Sequence, residues 1–339
     1  MIRNRLRVVI PAAAAAGLLG VGLAAAAPRA PAAVDAASAA AATYPNPGLV
    51  TGDTSVHDPS MIRAANGTYY LFSTGGGIQI LTSTNRINFT ADGQVLPSGA
   101  TWATAYGGST DLWAPDISYH NGVYWLYYAV STFGSNHSAI GLATSISMNP
   151  GTWTDQGLVY SSQTTSNYNA IDPGLVVDSS GNDWLSLGSF WSGIKMIQIN
   201  PATGKQLASN TTLYSIAERP SPDAEEASYI FPHGGYYYLF VSFDYCCEGV
   251  NSTYRVMVGR STSVTGPYVD ESGTAMLAGG GTQILATHGN VIGPGGQSVM
   301  TDTDGDLLIY HYYSLALNGT PELGINYLDW ASNGWPYVA

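Results

Sequence analysis

Positive charge is scarce in this chain. Of 339 residues, 11 are Lys or Arg and 23 are Asp or Glu. Setting aside the first 43 residues leaves 7 bases against 22 acids, a net charge of −15. Such a surface repels nucleic acid and anionic membranes, so a neutral partner fits better. Cysteine is nearly absent. Cys246 and Cys247 are adjacent, so they cannot staple distant segments, and the pair is either a vicinal disulfide or two thiols. No His-centred pattern beside them supports a catalytic thiol. No His/Cys spacing suits a metal cluster, and no G-x-S-x-G turn offers a serine nucleophile. From Pro45 onward no apolar run is long enough to span a membrane. No extended 3.6-residue period marks a long helix.

The first 43 residues differ from the rest. Arg3, Arg5 and Arg7 precede an apolar, Ala-rich run broken at Pro11, and small residues near Ala25 to Ala27 suit a signal-peptidase cut. Residues 1–43 are therefore expected to be a signal peptide followed by a disordered Ala/Pro-rich leader, with a membrane anchor as the alternative. The protein is expected to be secreted and extracellular, with no membrane association after cleavage. Residues 44–339 are expected to form one domain.

What the chain has in quantity is glycine, 40 residues, and tyrosine, 23 residues. Many aromatics, many turn formers and few charges suit a secreted β protein. Short apolar and aromatic runs alternate with Gly, Asn, Asp and Ser turns. Five segments align on a Gly-closed turn and the aromatic strand after it: "DPSMIRAANGTYYLF" from Asp58, "WAPDISYHNGVYWLY" from Trp113, "DPGLVVDSSGNDWLS" from Asp172, "EASYIFPHGGYYYLF" from Glu226 and "GQSVMTDTDGDLLIY" from Gly296. Their starts lie 55, 59, 54 and 70 positions apart. Units of this length suit four-stranded blades, and five of them predict an all-β, five-bladed β-propeller.

In a propeller, equivalent positions of different blades converge on the axis. The aligned first position holds Asp58, Trp113, Asp172, Glu226 and Gly296, three of them carboxylates. Grouped acids repel one another and lose solvation, so at least one is expected to be pushed towards its neutral form. Such a cluster marks a functional site. Paired carboxylates serve as general acid and general base in glycoside hydrolysis. Trp113, with Phe190 and Trp191 in "GSFWSG", offers flat faces for sugar rings.

The motifs "HDPS" at His57, "WAPDI" at Trp113, "NAIDPG" at Asn169, "EEASYI" at Glu225 and "GPGGQS" at Gly293 together resemble glycoside hydrolase family 43. The resemblance runs from about Pro45 to the C-terminus. It implies a five-bladed propeller and an inverting enzyme that cleaves internal α-1,5-L-arabinofuranosidic bonds of linear arabinan. By that resemblance Asp58 matches the general base, Glu226 the general acid, and Asp172 the acid that orients Glu226 and raises its pKa. Glu225 is the rival for the acid role. His57, Trp113, Asn169, Ser189 and Trp191 are the expected substrate-binding residues. His311 in "IYHYYS" matches a histidine holding a calcium or similar ion near the axis through waters, although Ser314 stands where an Asp is often found. No organic cofactor is implied, and a monomer is expected. Alternatives are an exo-acting α-L-arabinofuranosidase or β-xylosidase on the same fold, and a non-catalytic sugar-binding propeller.

Overall fold

A computed structural model describes residues 43–339. The expected signal peptide and leader, apart from Thr43, lie outside the described residues. Among those described, no helix is long and apolar enough to cross a membrane.

The β periodicity yields five antiparallel sheets in chain order, a five-bladed β-propeller. Their first strands are Ser60–Arg63, Trp113–His120, Gly174–Val177, Glu225–His233 and Val291–Asp302. Each first strand contacts the next, and the fifth contacts the first, so these strands form the inner ring around the axis. Alternation places apolar side chains on both faces of each blade, and each face packs on a neighbouring blade. The core is thus divided into five clusters, one per interface. Phe72, Ile80, Leu126 and Tyr128 join blades one and two, and Tyr127, Leu142, Leu185 and Ile197 join two and three. Met196, Leu239 and Val241 join three and four; Tyr238, Phe240, Leu308 and Tyr310 join four and five. Leu71, Phe89, Ile309 and Leu323 join five and one. Fully burying each such side chain stabilises the fold by about 1.5–3 kcal/mol.

The fifth interface brings distant parts of the chain together. Residues 48–54 bridge it. Gly48 N–H donates to Ile325 O and Leu323 N–H donates to Thr54 O, while Asp53 N–H donates to Phe89 O of blade one. Thr51–Gly52 adds a short parallel strand to the outer edge of blade one, and Pro336–Val338 completes blade five. Arg86 of blade one forks onto Asp304 at 2.8 and 2.9 Å and reaches Asp302 at 2.6 Å. Residues 48–54 and the strand Pro336–Val338 therefore close the ring between blades five and one.

The backbone corrects the alignment of the repeat. One residue in each blade adopts the left-handed conformation where the chain enters the inner ring: Asp58 (φ 48°), Ala114 (φ 44°), Asp172 (φ 54°), Ala227 (φ 54°) and Gly296 (φ 59°). These are the equivalent positions. Trp113 and Glu226 stand one residue earlier. Blades two, four and five share a register shift here, at Trp113/Asp116, Glu226/Tyr229 and Gly295/Ser298. The glycine differs instead: Gly122 and Gly235 end their turns, whereas Gly305 opens the second strand, so counting back from the glycine overshoots by one in blades two and four.

Candidate active site

The corrected register separates two concentric sets of side chains. Residues at and after the left-handed position, such as Pro59, Pro115, Pro173, Ser228 and Gln297, line a narrow axial cavity of about 30 Å³. That is on the order of the room one water needs. Residues just before it, His57, Trp113, Ile171 and Glu226, line a cleft of about 800 Å³. Asp58 and Asp172 border both. Glu226 therefore joins the two aspartates from a neighbouring backbone position, with a side chain one methylene longer.

Polar bonds tie the blades together around the axis. Thr74 Oγ1 accepts from Ala114 N–H at 2.8 Å. Asp116 Oδ2 accepts from Leu175 N–H at 2.7 Å, and Asp172 Oδ2 accepts from Ala227 N–H at 2.9 Å. Gln297 donates to Ala227 O at 2.6 Å, and Ser298 Oγ donates to Pro59 O at 2.8 Å. Asp116 and Asp172 thus each satisfy a buried backbone donor of the next blade. Not every acid near the axis is there for chemistry alone.

The surroundings drive the acidities of Asp58 and Glu226 apart. Burial alone raises Asp58. The charge and hydrogen bond of His57, then a bond from Thr74, outweigh that effect and bring it down to about 2. His57 Nδ1 lies 2.8 Å from Asp58 Oδ2, and Thr74 Oγ1 donates to the same oxygen at 2.8 Å. Glu226 is only 9% exposed. Burial lifts it to about 7, with the Asp58 charge adding and a bond from Ser189 opposing. Ser189 Oγ donates to Glu226 Oε2 at 2.6 Å, and the Tyr254 hydroxyl donates to Glu226 Oε1. Asp172 is raised well above the usual range by burial, then by the charges of Glu226 and Asp58. Divergent acidities in one pocket are the pattern that separates an acid from a base.

His57, Trp113, Asn169, Ser189 and Trp191 all line the cleft. Asn169 is buried with its Oδ1 unpartnered, and Trp191 is exposed at the mouth. The hydroxyl of Ser189 is taken up by Glu226. Cys246 and Cys247 form a vicinal disulfide in the cleft wall, which settles the choice left open by the sequence. His311 lies outside the cleft lining. Its ring stacks on His57 at 3.7 Å, Nδ1 accepts from Asp58 N–H at 3.1 Å, and Nε2 is buried without a partner. Burial, followed by the His57 charge, holds this imidazole well below its usual pKa, hence neutral. Glu225 faces away from the cleft, fully buried with both carboxylate oxygens unpartnered.

Sequence reasoning missed Thr74, Tyr254 and Tyr313. Thr74 directly follows the second strand of blade one, where blade three has Gly188, and Ser189 stands one residue further on, so these two hydroxyls do not share one repeat position and gave no signal. The tyrosines carried none in a chain with 23 of them.

The comparisons with known proteins agree with this geometry. Residues 45–336 match the model of the family described as glycosyl hydrolases family 43. The extracellular endo-α-(1→5)-L-arabinanase 1 of Bacillus subtilis is 48% identical over 83% of this chain and 87% of its own length. The solved family 43 endo-arabinanase of Bacillus licheniformis superposes with a TM-score of 0.81 at 47% identity, covering 85% of this chain and 99% of the other. An exo-1,5-α-L-arabinanase from a bovine ruminal metagenomic library gives a TM-score of 0.80 at 40% identity, covering 85% and 99%. This chain belongs to glycosyl hydrolases family 43 and is a glycoside hydrolase.

Proposed function

We propose that this enzyme is a secreted, monomeric endo-arabinanase that cleaves internal α-1,5-L-arabinofuranosidic bonds of linear arabinan with inversion. One observation carries the assignment of roles. Asp58 is held near 2 while Glu226 is lifted to about 7 in the same cleft. At neutral pH and below, the first is ionised and the second keeps its proton for much of the time. An inverting hydrolase needs that pair. Asp58 would take a proton from a water whose oxygen attacks the anomeric carbon. Glu226 would give its proton to the departing glycosidic oxygen, so the bond to the leaving sugar breaks as the new C–O bond forms. Exchange with solvent then restores both groups. Asp172, bound to the N–H next to Glu226, would hold the acid in place, while the high pKa of Glu226 comes from burial and the Asp58 charge.

The named relatives support arabinan as the substrate. A cleft of about 800 Å³ is of the size that holds a drug-sized ligand, larger than a single furanose ring. Trp113, Phe190 and Trp191 supply apolar faces there, and His57, Asn169 and the loop 132–135 supply polar groups. An exo-acting cut is the second reading, because one of the similar structures bears that name. Arg3, Arg5 and Arg7 before an apolar, Ala-rich run support secretion, and the acidic remainder argues against nucleic acid or an anionic membrane as partner.

A calcium or similar ion near the axis remains part of the proposal. His311 offers it a neutral imidazole with one buried, unpartnered nitrogen. Nδ1 accepts from Asp58 N–H in this structure, so ligation by Nε2 would require moving the proton to Nδ1, where the bond from Asp58 N–H would be exchanged for a contact with Asp58 Oδ1, now at 3.6 Å. Calcium prefers six to eight oxygen ligands, so water would supply the rest. The ion would add positive charge behind Asp58. The experiment for the whole reading is product analysis on debranched arabinan, with Asp58→Asn as the inactive control.

A further inference from the structure

The vicinal disulfide lies at the end of a chain of hydrogen bonds that leads to Asp58. Cys247 N–H donates to the Tyr313 hydroxyl at 2.7 Å. That hydroxyl lies 2.9 Å from His57 Nε2, and His57 Nδ1 lies 2.8 Å from Asp58 Oδ2. An ionised Asp58 can only accept, so neutral His57 carries its proton on Nδ1 and leaves Nε2 to accept from the Tyr313 hydroxyl, which itself accepts from Cys247 N–H. Tyr313 is buried, so water does not replace these partners, and its ring is held in the wall that His311 and His57 share. Asp244 and Cys247 are both in the left-handed conformation. The S–S bond locks two successive residues of this bend and so fixes where the Cys247 N–H points.

We infer that Tyr313 and the Cys246–Cys247 disulfide are positioning residues for the general base: the disulfide aims the Cys247 N–H, Tyr313 anchors Nε2 of His57, and His57 orients the Asp58 carboxylate. The inference rests on Asp58 acting as base in the proposed reaction. Loss of this chain of contacts would slow the chemical step and leave sugar binding in place. Misplacing a catalytic group by a fraction of an ångström is costly in rate.

The test uses four proteins on debranched arabinan: wild type, Tyr313→Phe, the double variant Cys246→Ser/Cys247→Ser, and all three substitutions together. Tyr313→Phe should lower kcat by about tenfold or more with KM within about twofold. The double serine variant should lower kcat by less, and the triple variant should be no slower than Tyr313→Phe, because both changes cut one chain. Multiplying effects, or a rise in KM when the disulfide is lost, would make the disulfide a sugar-facing wall and overturn the inference. If the serine variant does not fold, folded wild type treated with a trialkylphosphine replaces it. There the S–S bond gains two electrons and two protons, and the phosphine takes up the oxygen of a water. A second readout needs no substrate. In ¹⁵N-histidine spectra at alkaline pH, the His57 Nε2 resonance should move towards that of a nitrogen without a hydrogen-bond donor when Tyr313 is replaced by Phe. An unchanged Nε2 resonance would overturn the inference even if arabinan proved to be the wrong substrate. Failure of wild type on arabinan would instead count against the proposed function.

Discussion

Ala227 N–H donates to Asp172 Oδ2 at 2.9 Å, joining the third acid to the residue that follows Glu226. This bond crosses from blade four to blade three. It fixes how far apart the two carboxylates sit, and their mutual repulsion is built into the ring. The charge of Glu226 raises Asp172, after burial, and the two cannot ionise independently.

The pH dependence of kcat follows from these groups. Glu226 must be protonated and Asp58 ionised. With Glu226 lifted to about 7 and Asp58 lowered to about 2, kcat should fall as pH rises through about 7 and hold well into the acid range. Ser189→Ala removes a bond that stabilises the ionised form of Glu226. Its alkaline limb should therefore move to higher pH. A limb that stayed in place would separate that limb from Glu226.

Glu225 and Glu226 make different predictions despite being neighbours. Glu226→Gln and Asp58→Asn should each lower kcat by about 10²–10⁴-fold while oligosaccharide binding persists. Glu225→Gln should keep most of the activity and change stability instead. Burial lifts Glu225 to about 8, partly offset by the Arg219 charge. The folded state thus holds a proton that the unfolded chain releases near pH 4.5, and stability falls as pH rises between those two values. The melting temperature of Glu225→Gln should fall less than that of wild type between pH 5 and pH 9, by thermal unfolding at matched ionic strength. Equal slopes would show that Glu225 does not carry this titration.

Gly296 is required by its neighbours. A Cβ there would lie 2.4 Å from Asp58 Oδ1 and 2.6 Å from His311 Nδ1, and φ is +59°. Gly296→Ala should displace the Asp58 carboxylate and lower kcat by at least about tenfold, with a smaller change in melting temperature than a core deletion gives. Wild-type kcat in this variant would mean that the base can move freely.

Removal of the proposed ion should also be visible. Chelation should lower activity and melting temperature together, and added calcium should restore both. His311→Gln should abolish the response to calcium. A protein indifferent to chelator would leave His311 as the stacking partner of His57 alone.

The fold was legible because its signals repeat. The Gly-closed turn and the aromatic strand after it recur five times, and one helix-like period in any of them would have broken the pattern. The site was legible to within one residue. Asp58-Pro59, Ala114-Pro115 and Asp172-Pro173 mark the true repeat position, but the turn glycines were the stronger anchor. In blades two and four the glycines Gly122 and Gly235 end a two-residue turn rather than open the second strand as Gly305 does, and this shifted Trp113 and Glu226 by one. Thr74, Tyr254 and Tyr313 were hidden for a different reason: they reach the acids through tertiary contact from second and third strands, which no spacing encodes. The buried Asp116 shows the converse. An acid beside the axis can serve to bind Leu175 N–H and tie blade two to blade three.

Product analysis on debranched linear arabinan tests the central claim most directly. Chromatography of early products, with proton NMR of the newly formed reducing end, reads both the cutting mode and the stereochemistry. The account predicts mixed oligosaccharides of inverted anomeric configuration from wild type and none from Asp58→Asn. Retained configuration, or arabinose as the sole early product, would contradict it.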